Sequence, residues 1–364
     1  MKNVKKKNII IICTLVLLLI GIIVAIIFIN KKDDTNNEEN NQNTETKETP
    51  KLKIVDVNSK SRPFAVMINN HPTARMYHSG LQDAYIIYEI IVEGGMTRYL
   101  AVFKDQNTNI IGSVRSARHY FLDYALENDA YYVHWGWSPQ AQNDIRTMSV
   151  NNINGLTYEG TYFYRDSELN VSLEHTGYTS MELLNKAVER LQYRKDTNKD
   201  LLFNYSIEPV DLSQIDNNQK ADEVTIRYSN SITDSYTYDK ENQYYLRFVN
   251  GKEHKDYRSG NQYHFKNIIT YKVGNSTIPG DEKGRQTINN VGSGEGYYIS
   301  NGYVAPIKWT KSSREEQTRY TFFDGTEINV NDGNTFVNIV PTYGQISISA
   351  KEENKDVNAN EWDE

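Results

Sequence analysis

Cysteine is almost missing from this chain: Cys13 is the only one in 364 residues. Beyond it no internal disulfide can form and no thiol nucleophile is available. That excludes a cysteine-dependent transpeptidase and leaves the fold to be held by its core. Other catalytic signatures are absent as well. There is no G-x-S-x-G elbow of an α/β-hydrolase and no S-x-x-K of a penicillin-binding or β-lactamase site. No H-E-x-x-H occurs, and the seven histidines show no compact zinc spacing. The glycine-rich run Gly292-Ser293-Gly294-Glu295-Gly296 lacks the lysine of a phosphate loop and leads into strand-like residues, so it reads as a hairpin turn. Neither a metal nor an organic cofactor is called for. Excess basic charge is lacking too, since a net charge of −7 gives no footprint for nucleic acid.

One long apolar run stands out. From Ile9 to Ile29, 21 consecutive residues carry no charge. At about 1.5 Å per residue a helix of that length spans roughly 30 Å, the hydrocarbon thickness of a bilayer. Lys2, Lys5, Lys6 and Lys7 precede it, which places the N-terminus in the cytoplasm and the bulk of the chain outside. A cleaved signal peptide would have an apolar region of about 7–15 residues and a small-residue cleavage site. This run is longer and leaves through Ile27, Phe28, Ile29 and Asn30. A single-pass anchor is therefore expected. Lipidation at Cys13 is the alternative, but no small residue stands among the four before it, and a small buried hydrophobe suits it better. Residues 30–58 are polar and read as a disordered tether, and 351–364 as an acidic tail.

The remainder divides by texture. Residues 59–200 alternate strand-like and helix-like segments, which predicts an α/β domain with a mixed sheet. Strands are expected over 64–68, 84–92, 98–103 and 130–135. Helices are expected over 114–126, from Ser138-Pro139 towards Met148, and from a capping box of Thr179 and Glu182. Residues 201–220 read as a linker. From 221 to 350, short alternating runs and turn signals such as Asn250-Gly251 and Asn301-Gly302 predict a mostly antiparallel β domain. The 27 tyrosines fit half-buried strands.

Candidate chemistry concentrates between Glu89 and Trp137. Arg115 and Arg118 fall three apart at the start of an expected helix, where unpaired N–H groups attract an anion. Guanidinium forks would strengthen such a site for carboxylate or phosphate. Cations there oppose the helix dipole, so a partner is required. Either that partner is an external anion, or Glu89 and Glu93, with Arg98 nearby, close an internal ionic network. His134 ends an apolar strand beside Trp135 and Trp137 and is the candidate general acid or base should chemistry occur.

These residues carry a resemblance. RPFAVMINN (62–70), ARMYHSGLQDAYIIYEIIVEGGMTRYLAVF (74–103), GSVRSARHYFLDYA (112–125) and DAYYVHWGWSPQA (129–141) resemble the YerB-like family of bacterial envelope proteins, often lipoproteins. Arg62, Asn69, Glu89, Glu93, Arg98, Arg115, Arg118 and His134 fall on its pattern, and GSGEGYY (292–298) and IKW (307–309) are similar in the second half. The resemblance implies a bacterial, extracytoplasmic setting and brings no reaction, substrate or cofactor with it. A plain apolar run stands where the family carries a lipidated cysteine. Glu174-His175-Thr176 replaces a Pro-His-Asn turn. Two functions are compatible with this reading. One is a non-catalytic binding protein for a cell-wall component or envelope protein. The other is an envelope enzyme acting on an anionic glycan or lipid-linked phosphate, with Arg98, Arg115 and Arg118 holding the anion and Glu89 or Glu93 as base or metal ligand.

Overall fold

Strands Phe64–Asn69, Ile86–Ile91 and Thr97–Phe103 are buried at every position in the computed structural model, which describes residues 52–351. Continuous burial, rather than alternation, means that both faces of the sheet are covered. The Thr97 strand runs antiparallel between the other two. Tyr131–His134 then adds parallel to Phe64–Asn69, and Asn152–Asn154 closes that end of the sheet, parallel to Tyr131–His134.

The opposite side of the Ile86 strand is completed from far along the chain. Thr335–Pro341 lies parallel to Ile86–Ile91 on one side and to Asn267–Val273 on the other. Beyond it come Gly292–Ser300, Tyr303–Lys311 and Gln219–Lys220, in an eleven-stranded sheet. The segments expected as an α/β part and a β part thus share one sheet. The Ile86 strand (IIYEII) is apolar along its length and would be an exposed, unpaired edge without Thr335–Pro341. Mixed strand direction follows, so the second segment is not purely antiparallel.

A second sheet of six strands covers one face. Its Glu223–Arg227 and Tyr244–Val249 strands alternate buried and partly exposed residues, as a sheet with one covered face does. Val224, Ile226, Tyr236 and Tyr245 join Val66, Ile87, Tyr99 and Phe336 in one core cluster, which the helix Met181–Leu191 also enters. Helices Phe121–Glu127 and Pro139–Thr147 cover the other face with Met67, Tyr88, Leu100 and Val337. Each fully buried large apolar side chain contributes roughly 1.5–3 kcal/mol.

Local expectations meet three corrections. The helix expected over 114–126 begins only at Phe121. Before it the backbone is extended, because Arg115 N donates to Met67 O at 2.8 Å and Ala117 N to Gly136 O at 2.9 Å, and strand partners win over the helix. Ser180, not Thr179, caps Met181–Leu191, accepting from Leu183 N at 3.2 Å; Thr179 is held in the strand Gly177–Thr179. The run from Gly292 is strand rather than turn. A Cβ on Gly296 would sit 2.5 Å from Thr270 O, so glycine there lets strands approach. The turn falls at Asn301-Gly302, whose φ angles of 51° and 77° suit a two-residue hairpin loop.

Residues 52–58, expected within the tether, lie against the body: Val55 is buried, and Lys53 N donates to Asp332 at 2.9 and 3.0 Å. No helix among the described residues is long and apolar enough to cross a membrane. The expected anchor, Ile9 to Ile29, and the acidic tail beyond Lys351 lie outside the described residues.

Candidate functional site

Strands Phe64–Asn69, Ile86–Ile91 and Tyr131–His134 all point the same way, so their carboxyl ends share one rim of the sheet. That rim is where open mixed and parallel sheets place their ligands. It gathers Asn69 to His71 after the first strand, Glu93 after the second and Trp135 to Trp137 after the third. Arg98 joins them because the Thr97 strand is antiparallel and starts there, with Arg98 opposite Asn69.

Segment 113–117 is threaded between two of those ends. Asn69 N donates to Ser113 O at 2.9 Å, and Trp135 N donates to Arg115 O at 3.0 Å. The threading holds Arg115 and Arg118 on the rim without any helix terminus. The helix starts after both residues and has only seven residues, so its dipole does not act on an anion at Arg115 and Arg118.

Arg118 grips Glu93 in a fork, Nε to Oε1 at 2.6 Å and Nη2 to Oε2 at 2.8 Å, and its Nη1 donates to Ala117 O. Arg115 pairs with Glu174 through Nη2. Arg98 donates Nη1 to Ser116 O, and its Nη2 stands 3.9 Å from Glu93. Three guanidinium groups thus meet two carboxylates. Burial raises the Glu93 carboxyl, but the hydrogen bonds and charge of Arg118, with Arg98 behind, outweigh it and hold the group below its usual range. Glu174 is lowered likewise: burial raises it and the Arg115 charge overrides that. Arg98 is the least compensated. Burial first, then the Arg118 charge, lowers it to about 9. A guanidinium keeps its proton in proteins, so the shift marks a cation short of negative charge.

Two histidines complete the rim. His71 stacks on His175 with ring centroids 4.8 Å apart, and His175 Nδ1 lies 2.9 Å from Asn69 Nδ2. Sequence reasoning passed over His71 and Glu174 as site residues. Only the alternation of chemistry-bearing residues at strand ends hints at the first, and Glu174 is brought in from a distant loop.

Glu89 and His134 lie elsewhere. Glu89 is fully buried on the face beneath the second sheet, with Arg247 Nη2 at 2.7 Å, and the same nitrogen reaches Asp234 Oδ2 at 2.5 Å. Burial, then the neighbouring Asp234 charge, raises Glu89 well above the usual carboxylate range. Arg247 Nη1 also meets His254 Nδ1 at 2.7 Å, and His254 Nε2 meets His78 Nδ1 at 2.8 Å. This chain of buried polar groups pins the second sheet to the first. Glu89 thus does not contact Arg115 or Arg118. His134 is fully buried, with Nδ1 2.8 Å from Gly136 O and Nε2 3.2 Å from Asn152 Oδ1. Burial lowers it to about 4, so it is neutral and ties the edge strand to its neighbour. Among the described residues no three His, Cys, Asp or Glu side chains are grouped so as to hold a metal.

A mixed sheet faced by a second sheet on one side and short helices on the other, with an arginine-rich carboxyl rim, is the class of protein that fold and site define. Residues 49–194 match the N-terminal domain, and 224–337 the C-terminal domain, of the family described as "Protein of unknown function (DUF3048)". A Bacillus subtilis (strain 168) protein named "Putative lipoprotein YerB" is 33% identical over 304 residues, covering 83% of this chain and 88% of that one. The crystal structure of YerB from Bacillus subtilis is similar with a TM-score of 0.69 at 30% identity, covering 82% of this chain and 100% of that chain. The chain belongs to the YerB (DUF3048) family.

Proposed function

We propose that this is a membrane-tethered, non-catalytic protein of the bacterial envelope that binds an anionic group of a cell-wall component or envelope protein on Arg98, Arg115 and Arg118. One observation carries the reading: three guanidinium groups share two carboxylates, and the buried Arg98 is left short of a counter-charge. An incoming carboxylate or phosphate would supply it, displacing or joining Glu93 and Glu174. The name of the relative and the uncharged run from Ile9 to Ile29 support an envelope setting with the body outside. We take that run as an uncleaved helix. Fatty-acid labelling of the full chain and of Cys13→Ser tests it, and a label lost in the variant would replace the helix with a lipid.

The binding test uses inorganic phosphate as the probe for the full chain and for Arg115→Ala, with unfolding followed in parallel. Binding lost while folding is retained supports the reading. Binding that merely follows the folded fraction overturns it. The runner-up is an enzyme acting on a lipid-linked phosphate, favoured by the exposed His71 stacked on His175 beside Arg115 and Glu174. Turnover of a bound phosphate ester, lost in His71→Ala, would establish it in place of simple binding.

A further inference from the structure

Beside the arginine rim, past the edge strand Asn152–Asn154, lies a cavity of about 700 Å³. Its wall carries three aromatic rings, Trp137, Tyr158 and Tyr193, all partly exposed. Asn143 and Arg146 stand at its rim on the helix Pro139–Thr147, and none of the lining residues is acidic.

The decisive residue is Asn154, which is 4% exposed. Its Oδ1 accepts from Gly136 N at 3.0 Å and from Leu156 N at 3.1 Å. Those two bonds fix which way the amide faces. Its Nδ2 has no hydrogen-bond partner among the described residues and keeps access to the cavity that Asn154 lines. A donor held in one direction and left to solvent is free to bond an acceptor that enters the cavity.

We infer that this cavity binds a stretch of amino-sugar glycan, holding it without cleaving it. The C–H faces of a pyranose ring carry partial positive charge and pack on the negative faces of aromatic rings. Amide side chains both donate and accept, which matches hydroxyl and acetamido groups in turn. Asn154 Nδ2 meets an acceptor oxygen of the sugar, and Arg146 at the rim meets a second. Glycoside hydrolysis needs two carboxyl groups about the bond, and the lining has none. A peptide adding to the edge would need more backbone than three residues. One arginine is too little for a nucleic acid backbone. The inference stands apart from the arginine rim, and each can fail without the other.

The test is calorimetric titration of the full chain in phosphatidylcholine nanodiscs with tetra-N-acetylchitotetraose, and with cellotetraose for comparison. Asn154→Asp keeps the helix-capping oxygen and removes the donor; Trp137→Ala removes a ring. Saturable binding of the N-acetylated tetrasaccharide is expected, about tenfold weaker in either variant and unchanged in Arg115→Ala. If Trp137→Ala fails to fold, Asn154→Asp alone decides. No binding by the unaltered chain at millimolar sugar, binding that Asn154→Asp leaves intact, or equal binding of cellotetraose would overturn it.

Discussion

Arg118 and Glu93 are joined by two parallel hydrogen bonds, of 2.6 and 2.8 Å, across a rim that Arg98 shares. Removing the carboxylate leaves both cations partly buried and facing each other. Glu93→Gln should lower stability by about 2 kcal/mol, less than a fully buried pair would cost because Glu93 retains some exposure. The same variant should bind inorganic phosphate more tightly, since the internal competitor is gone. Urea unfolding and phosphate titration check the two halves. Unchanged phosphate affinity would remove Glu93 from the proposed site.

The pH dependence follows from the same pairing. Glu93 and Glu174 have folded-state values below the ordinary 4.5, so the unfolded chain binds more protons as the solution is acidified. Their contribution is complete above pH 4.5 and is lost as pH falls through the lowered folded values. Thermal melting between pH 3 and 6 should show this loss. In Glu93→Gln the slope should be shallower.

Arg98 separates binding from stability. Replacing an under-compensated buried cation by an apolar side chain of similar length is often neutral or stabilising, here by up to about 1 kcal/mol. Arg98→Met should therefore melt no lower than the unaltered chain while losing phosphate binding. A large loss of stability would make Arg98 a structural residue.

The buried triad behaves oppositely. Arg247→Met strands Glu89 and Asp234 together and should cost about 3–5 kcal/mol. Glu89→Gln should be mild. With its folded value raised, Glu89 costs stability increasingly as pH rises above 4.5 towards that value. The stability of Glu89→Gln relative to the unaltered chain should accordingly grow over that interval, as chemical unfolding at pH 5 and pH 8 would show.

Trp135 offers a packing test. A Cβ on Gly177 would fall 2.6 Å from its ring, and one on Gly155 2.5 Å, while the Arg165 guanidinium lies 4.1 Å over it. Gly177→Ala should destabilise by about 1–3 kcal/mol through overpacking, with a lowered melting temperature and altered near-ultraviolet dichroism.

Some of this could be read along the chain. The IIYEII run, the Ser138-Pro139 helix start and the Asn301-Gly302 turn are local signals, and local physics decided them. The helix expected over 114–126 is shorter than its pattern suggests because Ala117, Phe121, Tyr124 and Ala125, apolar at helical spacing, are buried whether residues 114–120 are helical or extended. Hydrogen bonds from residues 115 and 117 to strands some 20 to 50 positions away settled the backbone instead. The Glu93–Arg118 pair was open to sequence reasoning as one of two alternatives. Arg247 as the partner of Glu89 was not, because 158 residues separate them and only the stacking of two sheets brings them together.

The position of Thr335–Pro341 has a bearing on how the molecule is made. A strand near the end of the chain sits in the middle of the sheet, parallel to both neighbours. The Ile86 strand therefore has one apolar flank unpaired until Thr335–Pro341 is in place. Closure of the sheet depends on residues 335–341, and a chain truncated before Thr335 should fail to reach the native fold.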